Sequence, residues 1–134
     1  MSLQYYLYRL NNENNIEENH QFYGFYNCMT LISAVYKIEI ENIFIRLDFE
    51  TIYNNTDEEE PLDLNIINDY KEKIDKNKEL LKDFDEKLKS ISVYELNEYL
   101  QKEKDDLDFD MFLIDNCKEL IKLILDGNII LWTA

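Results

Sequence analysis

The chain has one histidine and two cysteines, so nucleophilic catalysis has few residues to draw on. A Ser-His or Cys-His pair would need His20 as its base. His20 lies in a polar stretch, and nothing around Ser33, Ser90, Cys28 or Cys117 resembles the sharp strand-to-helix turn that exposes a nucleophile. Cys28 and Cys117 are far apart and in neither CxxC nor zinc-type spacing, which reads as two small buried hydrophobes. The only glycines are Gly24 and Gly127, too few for a phosphate-cradling loop or a dinucleotide-binding turn. Asp106, Asp108 and Asp110 alternate as acids do at the start of a calcium loop. Counted from Asp106, however, Met111 stands where that loop needs its turning glycine, and Cys117 stands where it needs a bidentate Glu. Helix capping by Asp106 or Asp108 suits them better. These residues point away from an enzyme, a resident cofactor and a metal site.

Charge is the informative quantity. In 134 residues, 14 Lys+Arg face 29 Asp+Glu, a formal net charge of -15. Binding nucleic acid directly requires cations that displace its counterions, so a polyanion is excluded as the ligand. An anionic membrane surface is disfavoured for the same reason. A basic protein would be steered in by the same field, which also maintains solubility. The chain has ten tyrosines, several beside carboxylates: Tyr94 with Glu95, Tyr99 with Glu98, Tyr70 with Asp69. Aromatic anchors supply contact area and carboxylates meet Arg and Lys. The partner-binding surface expected on this basis combines Asp57, Glu58, Glu59 and Glu60 with Tyr94, Glu95, Glu98 and Tyr99, and with Asp105, Asp106, Asp108 and Asp110.

The longest readable element is Leu62 to Ile91. Ile67, Ile74, Leu81 and Leu88 form one column and Tyr70, Asn77, Phe84 and Ile91 the other, an a/d seam of about four heptads. Such a helix would run roughly 45 Å. Its seam either packs within the chain or joins two copies, and Asn77 marks a register position or the place where the helix leaves the core. Pro61 fits the first turn, and Glu58 to Glu60 lie where a helix dipole favours anions. Ser92-Val-Tyr-Glu95 is a capping box that starts a second helix after it. Lys104 to Asp110 interrupts the pattern, and a third helix runs from Phe112 to Leu125, closed by Gly127.

Around these helices the pattern is that of strands. Gln4 to Leu10 is apolar on both faces, Asn11 to His20 reads as an Asn-rich loop, and Ile43 to Glu50 alternates as a strand with one wet face. Thr30 to Ile40 reads as the hairpin partner of that strand, although Leu31, Ile32, Val35 and Ile38 also fit one helical face. Ile129 to Thr133 closes the sheet. The fold class expected is α+β in a single domain, residues 1–134: a small antiparallel sheet of N-terminal strands and a C-terminal strand, packed with a long helix and two following helices. Residues 1–56 are strand-rich and 57–127 helical, and the helical part carries a net -11 of the charge.

No apolar run is long enough to span a membrane, and Met1 to Leu10 lacks the basic start and apolar core of a signal peptide, so a cytoplasmic, reduced setting is expected. Immunity proteins, antitoxins and anti-restriction or anti-CRISPR proteins share this size and charge as a physical class. The function expected is a small acidic inhibitor that occludes a basic, nucleic-acid-handling protein. The alternative is a homodimeric adaptor or secretion-chaperone-like protein joined through Ile67, Tyr70, Ile74, Asn77, Leu81, Phe84, Leu88 and Ile91.

Overall fold

Tyr5–Leu10 (β1) carries apolar side chains on both faces, which suits a strand with neighbours on both edges and cover on both sides. The computed structural model describes residues 4–89 and 107–133, the side chains of 18, 19 and 107–111 excepted. It places β1 between Ile16–Phe22 (β2) and Ile130–Thr133, the latter pairing antiparallel with β1 as expected of the closing strand. On its other edge that closing strand takes Ile45–Arg46 (β3) in parallel, and it is therefore β4 in chain order. The architecture is α+β, with a mixed rather than purely antiparallel sheet.

The segment read as an Asn-rich loop is a hairpin. The Asn11 side chain accepts hydrogen bonds from the Glu13 and Asn15 amides at 2.9 and 3.0 Å, and Asn14 takes the left-handed conformation at φ 62°. Asn does both at little cost, which fixes the turn. β2 then needs few apolar residues because it lies at the sheet edge. Its register to β1 slips between Leu7↔His20 and Arg9↔Glu17, so one extra residue bulges opposite Tyr8. The slip turns the two buried ends of β2 to opposite sides: Phe22 sits across from Tyr5, and Ile16 across from Leu10.

Helices cover both sides. On one, Tyr5 stacks on Phe25 at 4.1 Å between ring centroids. Phe25 opens α1 (Phe25–Tyr36), which packs against the C-terminal helix. The expected hairpin strand at Thr30–Ile40 is thus mostly helix. Its apolar stripe begins upstream of Thr30, with Phe25, Cys28, Met29 and Ile32 at helical spacing and all buried, and that spacing outweighs the β-branched residues downstream. On the other side Tyr6 meets Trp132, which meets Phe49 of α2 (Phe49–Thr56). Only Ile45–Arg46 of the alternating Ile43–Glu50 run is strand. Ile43, Phe44 and Ile45 are buried in succession, and Asp48 starts α2 by accepting from the Thr51 amide at 2.8 Å. Residues 1–56 therefore interleave strands with two helices.

The long helix is shorter than its pattern. α3 spans Leu64–Leu81, 18 residues, or about 27 Å. Asp63 caps it through the Asn65 amide, leaving Pro61 outside. After Lys82 and Asp83 the chain restarts as α4, Phe84–Lys89. The break aims Phe84 and Asp83 at the end of α1: the Tyr36 hydroxyl donates to the Asp83 carboxylate at 3.2 Å, and the two rings lie 6.4 Å apart. The seam turns inward. Tyr70, Asn77, Leu81 and Phe84 are buried in this chain, Ile67, Ile74 and Leu88 pack half-buried on its core, and Ile91 lies outside the described residues. Asn77 donates to the Ile43 carbonyl at 3.1 Å, so it fixes α3 to the chain two residues before β3. The helix expected from Ser92 also lies outside the described residues. The C-terminal helix, α5, spans Leu107–Leu125, so 107–110 extend it instead of interrupting it.

Tyr70 joins three elements. Its hydroxyl donates to the Gly127 carbonyl at 2.7 Å and accepts from the Leu10 amide at 3.1 Å. Gly127, at φ 103°, closes α5 as expected and leaves the ring its space: a Cβ there would stand 3.0 Å from the Tyr70 hydroxyl. Tyr70→Phe leaves one amide and one carbonyl without a partner, and unfolding in urea should show a loss of about 2 kcal/mol. A loss below about 0.5 kcal/mol would mean that water replaces the hydroxyl.

Candidate functional site

The acidic run Asp57–Glu60 takes its shape from α2. Asp57 is that helix's C-cap, its amide and that of Glu58 donating to the Tyr53 carbonyl at 2.8 and 3.4 Å, and the Glu60 amide returns to the Asn54 carbonyl at 2.9 Å. Glu59 holds φ 54°, a left-handed conformation that costs a residue with a Cβ about 1 kcal/mol or more. The turn is clamped from inside. Asn55, 4% exposed, accepts from the Ile16 amide at 2.7 Å and donates to Asn15 Oδ1 at 3.1 Å and to the Glu60 carbonyl at 2.8 Å. All three hydrogen-bonding positions that Asn55 uses serve to hold α2, β2 and the acidic turn together.

This position changes how the acids are explained. The run lies at the C-terminal end of α2, where the helix dipole is negative, and α3 begins only at Leu64 with Asp63 as its cap. Helix stabilisation therefore does not account for Asp57–Glu60. The α3–α4 stretch, 64–89, holds seven Lys and seven Asp+Glu and is neutral. It pairs its charges internally: Lys73 with Asp69 at 2.9 Å, Lys76 with Glu72 at 3.2 Å, Lys82 with Glu79 at 2.9 Å and Lys89 with Glu86 at 3.5 Å. From Glu39 to Asp63 there are nine acids and one cation, Arg46. All nine acids are exposed, and none makes an ion pair among the described residues. Arg46 lines a separate pocket with Tyr5, Phe25 and Glu39, on the α1 side of the sheet. At Asp48 the hydrogen bonds from Thr51, side chain first and then backbone, hold the carboxyl below the usual range.

Aromatic side chains share α2 with Asp48, Glu50 and Asp57. Tyr6 and Trp132 lie 5.1 Å apart between ring centroids, Trp132 and Phe49 5.6 Å, and Phe49 and Tyr53 5.9 Å, a row from the sheet onto α2. Phe49 is 59% exposed and Tyr53 39%. Tyr53 has Phe49 and Asp57 four residues away on either side and Glu50 three before it, so they are its neighbours on the helix surface. Neither Phe49 nor Tyr53, nor their partners Trp132 and Tyr6, was among the residues singled out from sequence. The signal was Asp48-x-x-Thr51, an N-cap followed by apolar residues at i and i+4.

The other expected site residues are only partly placed. Tyr94, Glu95, Glu98, Tyr99, Asp105 and Asp106 lie outside the described residues. Asp108 and Asp110 fall in the first turn of α5, their side chains outside the description. His20 is on β2 opposite Leu7 and not in a loop. Cys28 and Cys117 are buried free thiols between α1 and α5, the Cys117 Sγ 3.7 Å from the Cys28 carbonyl. The Cys28 side chain and burial push the Cys117 thiol far up, which leaves it a poor nucleophile. No helix among the described residues is long and apolar enough to cross a membrane.

Comparison with protein-family models, with curated proteins and with solved structures gives no match for this chain.

Replacing Asn55 by Ala removes three hydrogen bonds and unpins the acidic turn. Chemical unfolding of Asn55→Ala should show a loss of about 3 kcal/mol, and amide exchange at Glu58 and Glu60 should speed up. Unchanged exchange there would mean that the turn holds its own shape.

Proposed function

We propose that this chain is a small acidic inhibitor that binds and occludes the basic, nucleic-acid-handling surface of another protein. The observation that carries the reading is the concentration of nine exposed carboxylates, free of ion pairs among the described residues, between Glu39 and Asp63, of which Asp48, Glu50 and Asp57 lie on or cap α2, the helix that carries the exposed Phe49 and Tyr53 rings. Folding gains little from this arrangement. Like charges held close together repel, and exposed rings forgo burial. Contact with a basic surface reverses both penalties, since carboxylates meet Arg and Lys while the rings lose water. Basic protein surfaces are commonly those that bind nucleic acid, whose phosphates an acidic face imitates. No chemistry is required of the inhibitor: occupancy of the surface suffices. Two buried, free thiols suit a reduced setting, and we infer the cytoplasm.

The test is capture from a cell lysate at low and at high salt, with the wild type beside a variant carrying Asp57→Asn, Glu58→Gln, Glu59→Gln and Glu60→Gln. The expected result is a basic protein that the wild type retains at low salt, that nucleic acid displaces, and that associates about ten-fold or more slowly with the variant. Retention indifferent to salt, to nucleic acid and to the four substitutions would refute the reading.

A further inference from the structure

The partner's cations need not be interchangeable. The exposed end of the aromatic row lies among carboxylates: Glu50 and Asp57 neighbour Tyr53 along α2, and the Thr56 hydroxyl donates to Asp57 Oδ1 at 3.0 Å, which orients that carboxylate. Phe49 and Tyr53 lie 28° from parallel and are both exposed, while Ile52 and Asn55 are buried on another side of the helix. Four rings in contact form a continuous aromatic surface, unlike single exposed side chains scattered over a protein. A guanidinium is flat and weakly hydrated. It stacks on a ring while its edge donates to a carboxylate, whereas an ammonium is a compact ion that keeps its water.

We infer that the α2 face receives arginine side chains of the basic partner in preference to lysine, each guanidinium lying on Phe49 or Tyr53 with its N–H groups on Glu50 or Asp57. This rests on the inhibitor reading of the same surface and adds the chemistry of the contact. Charge complementarity selects the occupant, because the face is acidic and the sole cation of Glu39–Asp63, Arg46, lines a pocket on the other side of the sheet.

Trp132 is the only tryptophan, and its ring touches Phe49, so its fluorescence reports on this surface alone. The experiment titrates the intact protein with octaarginine and with octalysine at low salt, following Trp132 emission. Octaarginine is expected to change the emission saturably and to bind about five-fold tighter than octalysine. F49L with Y53L keeps apolar bulk, removes the ring faces and leaves the core intact, and it should reduce octaarginine to the affinity of octalysine. Equal affinities for the two peptides in the wild type would overturn the arginine preference while leaving an acidic binding face. No binding of either peptide would overturn the inhibitor reading as well. An emission that shifts on concentrating the protein alone would assign the row to a second copy and overturn the proposal.

Discussion

One buried amide holds the acidic face in shape. Asn55 takes a hydrogen bond from the Ile16 amide at the start of β2 and gives one to the Glu60 carbonyl at the end of the acidic turn. A buried polar group is costly unless satisfied, and this one is satisfied by groups from two separate stretches of chain, Asn15–Ile16 and Glu60. It therefore couples α2 to the sheet edge and closes the turn that carries Asp57–Glu60. The coupling also explains how Glu59 is kept in a left-handed conformation and how Phe49 and Tyr53 stay exposed: with Ile52 and Asn55 committed to the interior, these rings are left at the surface, where Phe49 meets Trp132. Asn77 and Asn128 are satisfied less fully, each with a buried Oδ1 that lacks a partner among the described residues.

The net charge of -15 is unevenly spread. α3 and α4 balance their charges and pair them at i,i+3 and i,i+4, so they behave as an ordinary solvated surface. The stretch from Glu39 to Asp63 does the opposite, with nine acids in 25 residues and one cation, Arg46, which lines a pocket with Glu39 on the far side of the sheet. Screening by salt weakens the repulsion among them but does not remove it. A sequence that balances one helix so closely and leaves another face so uncompensated distinguishes between the two, and a partner of opposite charge gives that distinction a physical purpose.

Much of the fold could be read from periodicity. β1, β4, the core of α3 and most of α5 follow patterns strong enough to survive their tertiary setting, and Gly127 closes α5 as its position suggested. The failures share a cause. β2 has only Ile16 and Phe22 to mark it, because an edge strand gains its order from β1 and not from its own apolar residues. α1 resembles a strand in sequence because its stripe starts at Phe25, before the segment that looks β-branched. α2 was hidden because Ile43 to Phe49 alternates like a strand up to the very residue after its cap, Asp48. That last error concealed the aromatic half of the candidate site, since Phe49 and Tyr53 become neighbours only on a helix. The acidic half was visible because four acids in a row need no secondary structure to be noticed, although their local explanation, the N-terminus of the long helix, placed them at the wrong end of the wrong helix.

Equilibrium unfolding at low and at high salt tests most directly whether the carboxylates of Glu39–Asp63 are uncompensated in the free protein. If they repel one another, raising NaCl from about 20 to about 500 mM shifts the urea midpoint upward. The shift shrinks when Asp57, Glu58, Glu59 and Glu60 are replaced by their amides. A midpoint that falls with salt, or a rise that persists undiminished in the amide variant, would contradict the account: the charge would then be balanced or seated elsewhere, and the α2 face would have no reason to await a basic partner.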